Sequence, residues 1–276
     1  MGLTDTLVLN NGTEIPAIGL GVYKAEPGEE VYQAVRSALE IGYRHIDTAS
    51  LYANEEDVGK AIKDSGISRN EIFVTTKVWN DEQGYENTKQ AMANSLKRLQ
   101  MDYVDLYLIH WPVPGKFTET WKALEELYRD GKAKAIGVSN FLPHHLEDML
   151  KEAEIKPVVN QVELHPQLQQ KETRDFCHAH DMLIEAWAPL GKAQYFDHPT
   201  LQELAKKHGK TPAQIIVRWQ YQSKIITIPK SVHKNRQEEN VDIFDFTLSQ
   251  DDMDKIAEMD IGNRIGKHPD KFDYGV

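Results

Sequence analysis

Asp47 and Tyr52 stand five residues apart in YRHIDTASLYANEEDVG (43–59), between a short strand-like run and the polar opening of an amphipathic segment. Lys77 ends a second such run, IFVTTK, and His110 a third, VDLYLIH. A phenol with an ordinary pKa of about 10 is a poor proton donor at neutral pH, so catalysis by Tyr52 needs a positive neighbour. An ammonium ~4 Å away, at an effective dielectric of ~20, is worth roughly 4 kcal/mol, or about three pKa units at most. On that reckoning Lys77 brings the phenol near neutrality. A buried lysine keeps its charge only where a carboxylate holds it, the role that falls to Asp47. Neutral His110 would orient a carbonyl by hydrogen bonding. Together the four describe protonation of a carbonyl oxygen as hydride reaches its carbon.

Positioning these residues requires strands that end side by side. Eight short apolar runs supply them: 17–21, 44–47, 72–77, 104–110, 133–139, 158–163, 182–188 and 225–230. Between them lie segments such as EEVYQAVRSALEIG, NTKQAMANSLKRLQ, FTETWKALEELYRDGK and HHLEDMLKEA, whose apolar residues recur at three and four positions, as in helices. Alternating strand and helix, with continuously apolar strands, indicates a parallel sheet covered by helices. Eight units in 276 residues suit an α/β fold of the (β/α)8 TIM barrel type, one domain over 1–276. A β-hairpin precedes it, in TLVLNNGTEIPAIGLG, with Asn11-Gly12 suited to a tight turn. The doubly wound alternative needs G-x-G-x-x-G after the first strand, and here Gly19-Leu-Gly21 is followed by Lys24 in the third glycine's place.

In such a barrel, sites lie at the C-terminal strand ends. Those ends carry Gly21, Asp47, Lys77, His110, Ser139 with Asn140, Gln161, Trp187 and Lys230. Alone, each catalytic candidate has an ordinary reading: Asp47 as a loop carboxylate, Tyr52 as a core-edge aromatic, Lys77 as a solvated strand end, His110 as a core histidine. Jointly, at adjacent ends, they point to a site. Composition excludes other classes. A net charge of -11 argues against a nucleic-acid binder, and no run approaches the ~18 apolar residues of a membrane span. A single cysteine, Cys177, permits no internal disulfide, and the opening MGLTDTLVLNNGTE has no basic-then-apolar leader, so a cytoplasmic monomer is expected.

The blocks HIDTASLYANEEDVG, VTTKVWN, DLYLIHWP, GVSNF, NQVELHP, APLG and IPKS, in this order, resemble the signature segments of the aldo-keto reductase family, particularly small prokaryotic glyoxal, methylglyoxal and 2,5-diketogluconate reductases. The resemblance implies an NADPH-dependent reductase with Tyr52 as general acid, Lys77 and Asp47 as its tuning pair and His110 as carbonyl orienter. It also implies cofactor contacts. Gly21, Val22 and Tyr23 would approach the nicotinamide and pyrophosphate, and Asp47 the nicotinamide ribose. Ser139, Asn140 and Gln161 would hold the carboxamide. Trp187, where the family more often has tyrosine, would stack under the ring, with Ala188 in place of a usual serine. Pro189, Leu190 and Gly191 would pass the pyrophosphate, and Lys230, Ser231, Val232, Arg236, Glu239 and Asn240 would hold the adenosine end.

Small aldehydes, ketones and α-dicarbonyls such as glyoxal or methylglyoxal are the expected substrates, walled by Tyr23, Trp79 and Trp111 beside His110. The tail HPDKFDYGV is expected to fold over the mouth, and the loops WPVPGKF and KAQYFDHPT are short enough to leave the site fairly open. No metal is expected: Cys177, His178 and His180 fall on one helix with diverging directions and no distant partners. His144 and His145 are expected to be solvated at a helix start. The rival from another class is a nicotinamide-binding interaction module without substantial turnover, which would bind NADPH yet fail to oxidise it when aldehyde is added.

Overall fold

The computed structural model describes residues 2–275 and gathers all eight expected runs into one parallel sheet. After a hairpin of β1 (Thr6–Val8) and β2 (Glu14–Pro16) come β3 (Leu20–Gly21), β4 (His45–Asp47), β5 (Phe73–Val78), β6 (Val104–Ile109), β7 (Ala133–Ser139), β8 (Val159–Glu163), β9 (Leu183–Trp187) and β10 (Ile226–Thr227), each from β4 onward beside its predecessor. Parallel bridges from Ile18 to Thr227 and from Gly21 to Lys230 join the ends and close the barrel. The hairpin turn has three residues, with Gly12 at φ 85° and its N–H donated to the Leu9 carbonyl, a conformation that favours glycine.

Helices α1 (Glu29–Ile41), α2 (Glu55–Asp64), α3 (Tyr85–Leu99), α4 (Phe117–Arg129), α5 (Pro143–Leu150) and α6 (Lys171–Ala179) follow β3 to β8 in turn. α1 shows why they form. Val31, Ala34, Val35, Ala38 and Leu39 make one buried stripe, and Gly42, at φ 119°, ends the helix. Between β9 and β10 the chain makes α7 (Pro199–His208) and α8 (Pro212–Gln222); after β10 it makes α9 (Lys234–Val241) and α10 (Gln250–Ala257). α7 and α10 exceed the eight strand-helix units and pack against each other. None of these helices is long and apolar enough to cross a membrane.

Side chains alternate along each strand, and the inward track changes character with height. On β5, Val74 and Val78 join the core under the helices, while Phe73, Thr75 and Lys77 are the alternate set. On β6, Tyr107 and Ile109 join that core, and Leu106 and Leu108 belong to a separate inner cluster with Phe73. Leu9 and Ile15 of the hairpin join the inner cluster and plug the barrel. Above it, His45 lies 3.2 Å from the Thr75 hydroxyl and 3.6 Å from Glu185, all fully buried.

Burial pushes Glu185 up to about 8, and the Asp47 charge adds to the rise. The folded chain thus retains a proton there that the unfolded chain releases at its ordinary 4.5. This contribution to stability is full below about pH 4.5 and declines by about 1.4 kcal/mol per pH unit towards about pH 8. Glu185→Gln keeps the shape and does not ionise. Its melting temperature relative to the native protein is expected to climb from about pH 5 to about pH 8 and then level off. Thermal scans across that range measure this, and a pH-independent difference would contradict it.

Candidate active site

Asp47 and Lys77 meet because β4 and β5 are neighbours and both residues fall on the inward track. Lys77 Nζ lies 2.6 Å from Asp47 Oδ1 and 2.9 Å from the Thr48 carbonyl, with no exposed surface. Asp47 Oδ2 accepts from Gln161 Nε2 at 2.8 Å. After β4 the chain makes a short 3-10 turn at Ser50–Tyr52, then Ala53 at φ 54°, which brings the Tyr52 hydroxyl to 3.5 Å from Lys77 Nζ. His110, at the end of β6, packs edge-on to Tyr52 at 5.8 Å and to Trp79 at 4.9 Å, and Tyr23 lies 5.0 Å from Tyr52.

The turn is fixed by polar side chains that sequence reasoning passed over. Thr48 donates to Asn54, whose amide donates to the carbonyls of Val22 and Ala25. Ser50 reaches the Lys77 carbonyl and Glu82. Glu55, almost fully buried, takes Thr76 and Arg98. The available signal was the density of hydrogen-bonding residues in TASLYANE, more than a solvated loop requires.

Burial opposes charge on Lys77, but Asp47 and Tyr52 outweigh it and hold the ammonium above its ordinary value. Tyr52 differs from the sequence-based expectation. Burial pushes its phenol up to about 12, and the pull of Lys77 falls short, because Asp47 sits on the same ammonium and acts in the opposite direction. The phenol therefore keeps its proton at neutral pH. His110 is driven well below its ordinary value by burial and by Lys77, so its ring is neutral. Its buried Nδ1 has no hydrogen-bond partner among the described residues; with the proton on Nε2, the ring can donate to a carbonyl oxygen.

Beside this group lie the ends of β7, β8 and β9. Ser139 donates to the Gln161 carbonyl, and Asn140, at φ 63°, gives both amide protons to Ser139 and the His110 carbonyl. The Asn140 oxygen takes the Trp187 indole N–H at 2.8 Å, fixing that half-buried ring.

Comparison with known proteins shows which family the chain is in. The model of the Aldo/keto reductase family matches residues 17–261. The chain belongs to this family. It is 56% identical over 270 residues to the glyoxal reductase of Bacillus subtilis (strain 168), covering 98% of each chain. To the methylglyoxal reductase DkgA of Escherichia coli (strain K12) it is 47% identical, covering 99% of each. A mutant of Gox0644 solved in complex with NADPH superposes with a TM-score of 0.94 at 45% identity, over 98% of this chain and 99% of that one.

Not every expected contact of this aldo/keto reductase offers a free side chain. Val22 and Asn240 are buried, Glu239 accepts from Thr211 at 2.7 Å, and Ser231 is tied to His233. Gly21 sits where an added Cβ would lie 2.9 Å from the Ile228 carbonyl. Ala188 and Gly191 adopt left-handed backbone, and Pro189 accepts from Gln220. Leu190 and Val232 are packed partly against the core, whereas Lys230 and Arg236 are exposed, with no acidic partner within 4 Å among the described residues.

The tail does border the mouth. Ile265 and Gly266 donate to Glu163, Asp270 meets His144 and His145 at 3.0 and 3.3 Å, and Phe272 stacks on Trp111 at 4.5 Å. Trp111 is thus buried under the tail. His145 also departs from expectation, since its side chain is largely buried rather than solvated. Its Nδ1 accepts the Leu142 N–H, which leaves the proton on Nε2 facing Asp270. His144, His145 and Asp270 are metal-ligand types within 4.8 Å of one another, but that tautomer makes His145 a donor in a latch. Cys177 lies inside α6, its thiol pushed up to about 12 by burial. A polar cavity of about 620 Å³ lies between the starts of α5 and α6 and the tail, lined by none of Asp47, Tyr52, Lys77 and His110.

The balance at Tyr52 is directly measurable. The tyrosinate absorbance difference between the native protein and Tyr52→Phe is expected to be absent at neutral pH and to grow only as pH rises towards about 12. A difference already present near neutrality would show that Lys77 outweighs burial.

Proposed function

We propose that this protein reduces small aldehydes, ketones and α-dicarbonyls of the glyoxal and methylglyoxal kind to alcohols with NADPH, Tyr52 supplying the proton. The observation that carries the reading is the Tyr52 hydroxyl 3.5 Å from an ammonium that Asp47 holds at 2.6 Å, beside neutral His110. The names of the similar glyoxal and methylglyoxal reductases support the substrate class, and the NADPH complex supports the cofactor.

The residues fit such a cofactor. Trp187 offers a fixed aromatic surface beside Asn140, and the exposed Lys230 and Arg236, without an acidic partner among the described residues, flank the start of α9, a combination that suits a phosphate. Arg236 can also stack on adenine while pairing with phosphate. NADPH supplies the hydride when bound. His110 Nε2–H and the Tyr52 hydroxyl then hold the carbonyl oxygen. As hydride forms the new C–H bond, the carbonyl π pair moves to oxygen and takes the Tyr52 proton, giving the alcohol. The resulting phenolate is stabilised by the Lys77 ammonium and regains its proton from solvent for the next turnover. A phenol that stays protonated until charge develops spends its acidity in the transition state. Tyr23, Trp79 and Trp111 with Phe272 make the approach aromatic, favouring small, partly apolar carbonyls.

Tyr52→Phe keeps the ring and is expected to lower kcat/KM for methylglyoxal by about two to four orders of magnitude, the scale of general acid catalysis, while NADPH still binds. Near-native turnover would falsify the role of Tyr52. Arg236→Ala removes charge-assisted hydrogen bonds worth roughly 1.5 to 3 kcal/mol each, so NADPH affinity is expected to fall by about one to two orders of magnitude. NADH affinity should change less. Dissociation constants for both cofactors at two salt concentrations decide this, and equal weakening of both contradicts phosphate recognition by Arg236.

A further inference from the structure

We propose that Glu163 is a positioning residue for the cofactor, holding the tail segment 263–266 against the Trp187 indole so that the border of the substrate mouth and the surface under the nicotinamide form one body. This rests on Trp187 being that surface.

Glu163 ends β8 directly opposite Trp187 in the register with β9 and has no exposed surface. Its Oε1 accepts from the Ile265 N–H at 2.6 Å and faces His165 Nε2 at 3.1 Å; its Oε2 accepts from the Gly266 N–H at 2.8 Å, with Arg264 at 4.0 Å. Burial alone would raise this carboxyl, but His165 and the two backbone N–H groups hold it below the usual range, so it is charged. Two consecutive N–H groups on the two oxygens of one side chain require an acceptor-only group. A carboxamide would turn an NH2 towards one of them.

The tail so held touches Trp187. A Cβ added to Gly266 would lie 2.4 Å from the indole Cη2 and 2.7 Å from Glu163 Oε2, so this backbone admits no side chain. The indole N–H is fixed by Asn140 at 2.8 Å. The ring is therefore held from two directions, by the loop after β7 and by the tail. Further along, Asp270 is held by His144 and His145, a separate attachment that Glu163 does not touch.

The full-length chain tests this through NADPH dissociation constants measured by calorimetry, with KM for methylglyoxal and for a bulky aromatic aldehyde. Glu163→Gln and Gly266→Ala are expected to weaken NADPH about tenfold, a usual size for coupling between neighbouring sites, and Trp187→Ala at least as much. Asp270→Asn cuts only the distal attachment and is expected to leave NADPH affinity within about twofold while raising KM for the bulky aldehyde. A residue that merely stabilised the fold would lower the melting temperature of Glu163→Gln and leave its NADPH affinity native. That result, beside a weakened Trp187→Ala, overturns the clamp alone. Native affinity in Trp187→Ala overturns the reading of Trp187 and the clamp with it. If Glu163→Gln does not fold, Gly266→Ala carries the test, and native affinity there overturns the proposal.

Discussion

A lysine without exposed surface must be neutralised where it stands, and the contact between Lys77 and Asp47 meets that demand. Placing two charges inside a barrel costs several kcal/mol per ion unless each is paired and its remaining hydrogen bonds are met. Gln161 and the Thr48 carbonyl supply those bonds. Much else follows from this pair. It fixes the end of β4 against the end of β5, it requires the chain after Asp47 to turn where Thr48 accepts the ammonium, and that turn delivers Tyr52. Burial, with the same ammonium beside it, keeps His110 neutral. One ion pair thus acts, together with burial, on the charge states of Tyr52 and His110.

The barrel can hold the pair because its interior is graded. Phe73, Leu106 and Leu108 pack with the hairpin at one level, His45 and Glu185 come next, and Asp47 and Lys77 lie nearest the mouth. Water is excluded from one side, and hydrogen bonding is available on the other. The gradient also explains the height of the Tyr52 pKa: burial against a low-dielectric wall disfavours the phenolate, and Asp47 offsets part of the pull of Lys77.

The strands were legible because a parallel sheet buries both faces, which leaves runs such as VDLYLIH, and the helices because stripes like that of α1 repeat at three and four. The reactive residues were legible as polar side chains ending apolar strands. Three things were not. A pairwise sum overstates the effect of Lys77 on Tyr52, because it omits the burial of the phenol and the share of the ammonium taken by Asp47. His145 reads in the sequence as a solvated residue because its partners, Leu142 and Asp270, lie on a local cap and on a segment more than a hundred residues away. Glu163 in NQVELHP gives no hint of the tail, since the hydrogen bonds it accepts from that segment come from backbone N–H groups, which every residue except proline carries.

The bridges between Ile18 and Thr227 and between Gly21 and Lys230 join segments that lie far apart along the chain. Until they form, the sheet has two open edges, each a row of unpaired N–H and C=O groups able to capture a strand from a neighbouring molecule. The strands at those edges, β3 and β10, are two residues long, whereas β5 and β6, which are never at an edge, have six. Barrel closure thus depends on the shortest strands. A partly folded chain therefore offers neighbours very little edge on which to aggregate.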